Sequence, residues 1–234
     1  MDFISYFFSV TEIIGIVAAA ISGSMLAITC SFDLFGVLFC GILTSLGGGI
    51  IRDILIGHLP PRSFHNAIFL SAALVTSLAV YLIFRIIHSR FTPGKDKLHR
   101  LFLLSDALGL ASFSIGGVQI GLASDYSGNP FLCIFLGMTT AIGGGILRDI
   151  ITARRPLVLR KEIYATASLI GCGLYYLMAR IRLDNFISIP LCMLVIVLIR
   201  IISIKYHWNE PGKVKKGGAE VTAESNETRE DKNV

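Results

Sequence analysis

The feature that most constrains this chain is a run of three glycines followed by an arginine–aspartate pair, set inside a long apolar stretch. It occurs at Gly47–Asp53 and again 96 positions later at Gly143–Asp149. Glycine lowers helix propensity by about 1 kcal/mol relative to alanine, and ionisable side chains are costly in hydrocarbon. Eight of the fourteen residues in Gly47–Pro60 are identical to those in Gly143–Pro156. The chain therefore contains a duplicated unit.

The composition is that of a membrane protein. Of the 234 residues 53% are hydrophobic and 16% charged, and the mean hydropathy is +0.71, whereas an average soluble domain is about 25% charged. Apolar stretches long enough to cross roughly 30 Å of hydrocarbon recur along the chain. We interpret it as an all-α integral membrane protein with the bilayer as its surroundings and no nucleic-acid partner. Seven transmembrane helices are predicted: Ile13–Cys30, Leu34–Ile56, Ala67–Ile87, Leu101–Ala123, Phe131–Thr152, Ile163–Met178 and Ile187–Ile204.

The duplication extends beyond the glycine segments. Gly41 matches Gly137 at the same offset, and Glu12 matches Asp106 at an offset of 94. Each unit holds three spans, and an odd number of crossings makes the second unit enter the membrane from the opposite face. The predicted organisation is a first repeat (10–90), a second, inverted repeat (98–180), a seventh transmembrane helix (187–204) and a flexible cytosolic tail (205–234).

Basic residues near the span ends predict the orientation, because cytoplasmic loops carry an excess of lysine and arginine. The loops after the third and fifth spans and the tail are basic, whereas the opposite face carries few such residues. The N-terminus is expected outside and the C-terminus in the cytosol of a multi-pass protein of the cell (inner) membrane. The basic residues on the cytosolic side are Arg90, Lys95, Lys97, Arg100, Arg154, Arg155, Arg160, Lys161, Lys205, Lys213, Lys215 and Lys216, against Arg62, Arg180 and Arg182.

The glycine triplets allow two interpretations. They can break or kink the second and fifth spans and free backbone carbonyls, which is tolerated only inside protein or along a water-filled cavity and can serve to bind a monovalent cation. Alternatively, they let two helices cross closely, as small residues commonly do in membranes. The residues concerned are Gly47, Gly48, Gly49, Gly143, Gly144 and Gly145.

The arginine–aspartate pairs need partners in the bundle interior. Adjacent helix residues point about 100° apart, so we expect each arginine to pair across helices. Topology brings Glu12 to Arg52 and Asp106 to Arg148. Asp53 and Asp149 would then be available to water or ions. The alternative is that all these charges form purely structural ion pairs.

An enzyme is not indicated, because the sequence shows no nucleophile–base set and no cluster with metal-ligand spacing. We expect no cofactor and no metal site. The five cysteines lie in or at the ends of apolar runs and are interpreted as small buried hydrophobes. Serines within the first and fourth spans more often bond to their own backbone than line a pore. Among these are Ser22, Ser24, Ser112 and Ser114.

With these residues in view, the chain resembles the trimeric intracellular cation channel family, in particular its short prokaryotic branch. The resemblance covers roughly residues 10–205 and is carried by the paired Gly-Gly-Gly-x-x-Arg-Asp and by Asp33-Leu34-Phe35-Gly36. It implies two inverted helix triplets plus one helix and a homotrimer. It also implies a potassium- and sodium-conducting pore in each subunit, lined by the glycine-kinked second and fifth helices. The two glycine triplets would be the pore-lining kinks.

The resemblance has limits. The Lys-Glu-Val lipid-binding stretch of animal members is not matched at Lys95–Leu98. Some bacterial relatives are regarded as glycine transporters, so a small amino-acid transporter of the inner membrane is the rival function, since half-helix N-termini can bind a carboxylate. A structural role without transport is a third interpretation.

Overall fold

The computed structural model describes residues 3–90, 95–160 and 163–206, and within these ranges the chain is helical apart from its connecting turns. Seven of the described helices are long, and two single-turn helices, α3 and α7, follow α2 and α6. In chain order the elements are α1 Phe3–Thr29, α2 Leu34–Leu55, α3 Arg62–His65, α4 Ala67–Arg90, α5 Lys95–Ala123, α6 Pro130–Ile151, α7 Leu157–Arg160, α8 Ala165–Arg180 and α9 Asn185–Tyr206.

Among the described helices, six are long and apolar enough to cross a membrane, namely α1, α2, α4, α5, α6 and α9. The helix at the sixth predicted span, α8, has 16 residues and is shorter than the roughly 20 residues that span hydrocarbon without help. The α1 helix begins at Phe3, ten residues before the predicted start, because polar Thr11 and Glu12 do not interrupt it. The predicted tail from residue 207 onward lies outside the described residues.

Equivalent helices of the two repeats run antiparallel. Gly48 of α2 lies against Thr140 of α6, whereas Thr44, one turn earlier, lies against Gly144, one turn later. The pairing of α1 with α5 has the same sense, since Gly15 meets Ser112 and Ser22 meets Asp106. Residue numbers thus rise along one helix as they fall along its partner, as an inverted repeat requires.

The same capping chemistry starts α2 and α6. Asp33 accepts a hydrogen bond from the backbone N–H of Gly36 at 2.8 Å, and Asn129, its equivalent, accepts one from Leu132 at 3.1 Å. Such side-chain caps satisfy one of the unpaired amides at a helix start. Both central helices are therefore held in the same register at their N-terminal ends.

The helices differ in how much they contact protein. In α4 only 17% of the apolar window is buried, whereas in α5 72% is. The α5 helix packs against α1, α6, α8 and α9. It therefore forms the centre of the bundle, whereas most of the α4 surface faces away from the other described helices.

Candidate functional site

The two glycine triplets meet where α2 crosses α6. A Cβ atom added to Gly48 would overlap the carbonyl oxygen of Thr140, and one added to Gly144 would overlap that of Thr44. Both helices continue unbroken through the triplets. The expectation that the glycines free backbone carbonyls is therefore wrong for this structure, and the close crossing is what the middle glycines provide. A kink in the second and fifth spans remains a prediction.

The outer glycines of each triplet face other surroundings. Gly49 lies on the side of the α3 residue Ser63, and an added Cβ there would have no heavy atom nearer than 3.6 Å. Gly145, its equivalent, faces the hydroxyl of Tyr164, also at 3.6 Å. Gly47 packs against Leu147, and Gly143 against Gly48. Gly49 borders an open space, which is described below.

A buried charge cluster surrounds Arg148 in the second repeat. Its Nη1 atom lies 2.6 Å from Asp106 Oδ1, and its Nε atom lies 2.8 Å from Asp149 Oδ1. Nη1 also donates to Ser22 Oγ at 2.7 Å, and the guanidinium stacks 5.1 Å from the centre of the Phe102 ring. The predicted partner of Arg148 is thus in contact with it. Together Arg148, Asp106, Asp149 and Ser22 form what we term the Arg148 cluster.

The equivalent arginine of the first repeat is paired differently. Arg52 donates from Nε and Nη2 to the adjacent Asp53 Oδ1, both at 2.8 Å. Within the described residues its ion pair is with Asp53 and not with Glu12. The expectation that Arg52 pairs across helices with Glu12 is therefore wrong, because the long arginine side chain reaches the carboxylate of the adjacent Asp53.

Asp53 and Asp149 are not available to an aqueous path in this structure. They are 0% and 2% exposed. Their first oxygens accept from the arginines. Their second oxygens accept from backbone amides in the next segment, Asp53 from Arg62 at 2.8 Å and Asp149 from Leu157 at 2.7 Å. These carboxylates therefore connect the end of each central helix to the start of the following single-turn helix.

We expect this connection to be visible in hydrogen exchange. Replacing Asp149 with asparagine removes a charge-assisted hydrogen bond, which is roughly twice as strong as a neutral one. The amide of Leu157 should then exchange faster relative to amides in the middle of α5, and Asp53→Asn should do the same to the amide of Arg62. The exposed Asp125→Asn serves as the control. Unchanged relative protection at Leu157 and Arg62 would remove the proposed anchoring role.

A further buried cation, Arg200 of α9, was missed by the sequence reasoning. It is 1% exposed, and its guanidinium carbon lies 4.5 Å from the ring centre of Tyr164. The hydroxyl of Tyr164 in turn interacts electrostatically with Asp106, Arg148 and Arg200. The α9 helix, which corresponds to the seventh predicted span, therefore adds a positive charge beside the Arg148 cluster.

A pocket opens beside Arg52 in the first repeat, and we term it the Glu12 pocket. It encloses about 330 Å³, including the solvent at its mouth. Its wall combines one carboxylate, two guanidinium groups, three hydroxyls and apolar side chains. The residues are Glu12, Ile16, Ser45, Leu46, Gly49, Arg52, Arg62, Ser63, Phe69, Phe113 and Thr140.

The two repeats differ in what surrounds their equivalent glycines and arginines. Gly145 faces the large, buried Tyr164, whereas Gly49 faces the small Ser63. Ser22, which binds Arg148, corresponds at the offset of 94 to Gly116, which has no hydroxyl to offer Arg52. The space beside Gly145 is thus occupied by Tyr164, whereas Gly49 borders the Glu12 pocket.

Comparison with known proteins agrees with the duplicated fold. A family model described as "Glycine transporter" matches the chain in two segments, residues 9–85 and 103–180. A UPF0126 membrane protein of Deinococcus radiodurans is 37% identical over 174 residues, covering 72% of this chain and 74% of the relative. The UPF0126 inner membrane protein YadS of Escherichia coli K12 is 35% identical over 206 residues, covering 86% and 93%.

Solved structures of TRIC cation channels share the fold. One, from work on the structural basis for conductance through TRIC cation channels, superposes with a TM-score of 0.77 at 34% identity over 90% of this chain and 99% of that chain. A prokaryotic TRIC channel crystallised in 0.5 M KCl gives 0.77 at 32% identity over 88% and 99%. The TRIC orthologue from Rhodobacter sphaeroides gives 0.77 at 25% identity over 86% and 98%.

Proposed function

Because this chain belongs to the glycine transporter (UPF0126) family and shares the fold of TRIC cation channels, we propose that it is a channel for potassium and sodium in the cell membrane. The observation that carries the proposal is the likeness to a TRIC cation channel structure over 99% of that chain. The protein is then not an enzyme and needs no cofactor beyond its permeant ions. Its N-terminus lies outside and its C-terminus in the cytosol, in keeping with the basic loops.

The crossing of α2 and α6 offers chemistry that suits a cation. Thr44 and Thr140 occupy equivalent positions there, and their hydroxyls donate to the carbonyls of Cys40 and Leu136, each at 2.6 Å. Since each hydroxyl proton is engaged by its own helix, the oxygen lone pairs are what remains for an ion. We place the path of each subunit along this region, on the side of α2 that carries Gly49, and we propose the homotrimer of the TRIC channels as the assembly.

The two aspartates have no part in this path, since their oxygens are occupied by the arginines and by backbone amides. Helix packing also limits which of the glycines can border this path. Gly48 and Gly144 are covered by the opposite helix, whereas Gly49 borders the Glu12 pocket. A side chain introduced at Gly49 should therefore enter the path.

We expect Gly49→Cys to make cation flux sensitive to a thiol reagent. The added Cβ has room, and the sulfur would point into the pocket, so attachment of a charged ethylammonium group should reduce potassium flux in liposomes several-fold. The background carries Cys30→Ser, because the other four native cysteines are buried. Asp125→Cys, in an exposed turn, is labelled without effect. If labelled Gly49→Cys conducts like the unlabelled protein, the path does not pass this glycine.

The family model's description favours one second candidate, uptake of glycine. The same liposomes decide between the two functions. Potassium flux that glycine does not alter supports the channel, whereas saturable glycine uptake without conductance assigns the transporter.

A further inference from the structure

The single-turn helices α3 and α7 follow the two central helices at equivalent places. Each begins at a residue whose backbone amide donates to the aspartate of the preceding Arg–Asp pair. Arg62 donates to Asp53 at 2.8 Å, and Leu157 donates to Asp149 at 2.7 Å. The start of α3 therefore corresponds to the start of α7. Beyond this shared hydrogen bond, the two short helices are held differently.

Apolar contacts fix α7 to the rest of the bundle. Leu157 packs against the core cluster that contains Phe102. Val158, the next residue, packs against a second cluster that contains Leu110. Two neighbouring side chains thus anchor α7 in two parts of the core.

Among the described residues, no such contacts hold α3. None of its four residues is buried, and Phe64 is 71% exposed. Where α7 has Leu157 and Val158, α3 has the polar Arg62 and Ser63, and no α3 residue belongs to an apolar cluster of the described chain. A segment with few buried apolar contacts opens locally at a low free energy.

The connections that lead into the two short helices differ in the same direction. The turn after α2 contains Gly57, with φ 75°, and the turn after α6 contains Ala153, with φ 53°. Glycine moves freely into and out of this left-handed region, whereas alanine stays there only where the surrounding structure enforces it. A Cβ atom on Gly57 would meet no atom within 4 Å. The connection to α3 can therefore bend, while the connection to α7 is restrained.

The α3 helix lies at the mouth of the Glu12 pocket. Arg62 and Ser63 belong to the pocket wall, and Ser63 Oγ lies 3.8 Å from the place that a Cβ atom of Gly49 would take. The wall also includes buried polar side chains, among them Ser45 and Thr140. Movement of α3 away from α2 would expose these groups to solvent.

We propose that α3 is a lid over the Glu12 pocket, hinged at Gly57 and latched by the hydrogen bond from the Arg62 amide to Asp53. The α7 helix is its fixed counterpart. When the latch breaks, Asp53 keeps its contact with Arg52, so the lid opens without separating the buried charges. Opening would admit solvent from the predicted outer face to the crossing of α2 and α6. A role of the lid in ion entry rests on the proposed channel function, whereas the lid itself does not.

Hydrogen exchange in the wild-type protein compares the two latches without any substitution. The amides of Arg62 and Leu157 donate to equivalent carboxylates over nearly equal distances, so a difference in protection reports how firmly each short helix is held. We expect the protection factor of the Arg62 amide to be roughly tenfold lower or more, as for a locally opening segment. Equal protection of the two amides would overturn the lid.

Thiol labelling measures access to the pocket. Ser45→Cys, in the Cys30→Ser background, is treated with a charged methanethiosulfonate reagent, and Ala141→Cys is its counterpart in the second repeat. Arg62→Pro removes the donor of the latch at a first helical position, which proline tolerates. Arg62→Ala loses the same guanidinium group but keeps the amide. Labelling of Ser45→Cys should be several-fold faster with Arg62→Pro than with Arg62→Ala, while Ala141→Cys stays protected in both. Equal labelling rates with the two Arg62 substitutions would contradict the latch.

A disulfide separates the lid from the channel. Gly49→Cys with Ser63→Cys brings two sulfurs within reach, since a disulfide needs Cβ atoms about 3.5–4.5 Å apart, and the bond would tie α3 to α2. If ions enter past the lid, oxidation should lower potassium flux in liposomes several-fold and reduction should restore it, with Gly49→Cys alone as the control. Absence of potassium flux in wild-type liposomes would reject the channel and leave the exchange and labelling results to decide the lid. Flux that oxidation leaves unchanged, together with faster labelling in Arg62→Pro, would retain the lid and reject its role in ion entry.

Discussion

Replacing Gly48 or Gly144 with alanine is expected to force α2 and α6 apart and to lower the melting temperature markedly. The new methyl group would overlap a backbone carbonyl of the opposite helix, and a backbone atom cannot rotate away as a side chain can. Overpacking of a tight interior typically costs about 1–3 kcal/mol. We expect the upper part of this range, because a whole helix has to move. Thermal unfolding in detergent measures the effect.

Gly49 and Gly145, the last glycines of the two triplets, are matched controls for this prediction. In Gly49→Ala and Gly145→Ala the nearest heavy atom would be 3.6 Å away, which is ordinary contact, and alanine favours a helix by about 1 kcal/mol over glycine. These variants should melt at or above the wild-type temperature. The double variant Gly48→Ala with Gly144→Ala should lose less than the sum of its parts, since both methyl groups act on one crossing. Equal effects at the middle and outer positions would mean that the helices do not touch here.

Among the single variants that remove a charge, we expect the loss of the Arg148 guanidinium to lower the stability of the protein most. Arg148→Gln leaves the buried carboxylates of Asp106 and Asp149 without their shared cation, whereas Arg52→Gln strands only Asp53. Breaking a buried pair from one side costs about 3–5 kcal/mol. Asp106→Asn should fall within that range. Glu12→Gln should cost clearly less, because Glu12 forms no ion pair with Arg52. Melting temperatures in one detergent rank the variants.

A double-mutant cycle tests the pairing itself. Because Asp106 and Arg148 are 2.6 Å apart, the combination Asp106→Asn with Arg148→Gln should be more stable than the sum of the single losses implies. Asp106→Asn combined with Arg52→Gln, in the other repeat, serves as the non-contacting control and should be additive. Additivity in both cycles would show that Asp106 and Arg148 do not stabilise each other.

Much of the fold is readable from the sequence, because hydrocarbon thickness dictates span length and the duplication dictates topology. The short helices α3 and α7 escaped prediction, since four residues are too few to show a period. The apolar run of the sixth span did not reveal whether the helix there crosses the membrane completely. That helix, α8, has 16 residues and ends at Arg180.

The site was only partly predictable, and the reasons lie in particular side chains. Asp106 could be placed beside Arg148 because topology brings together the ends of their helices. The same reasoning failed for Glu12 and Arg52, because the reach of an arginine side chain back to its neighbour cannot be read from helix geometry alone. Ser22 was indistinguishable from serines that bond to their own backbone. Arg200 did leave a signal, as a lone arginine inside an apolar span.

The difference between Ser22 and Gly116 has a consequence for how such a protein can arise. In a homodimer of separate three-helix units, both sides of the symmetry axis would carry the same residue at every position. Either two open pockets or two filled ones would result. Fusing the units into a single chain releases each half from copying the other. One half can then fill with side chains the space that the other half keeps open as the Glu12 pocket.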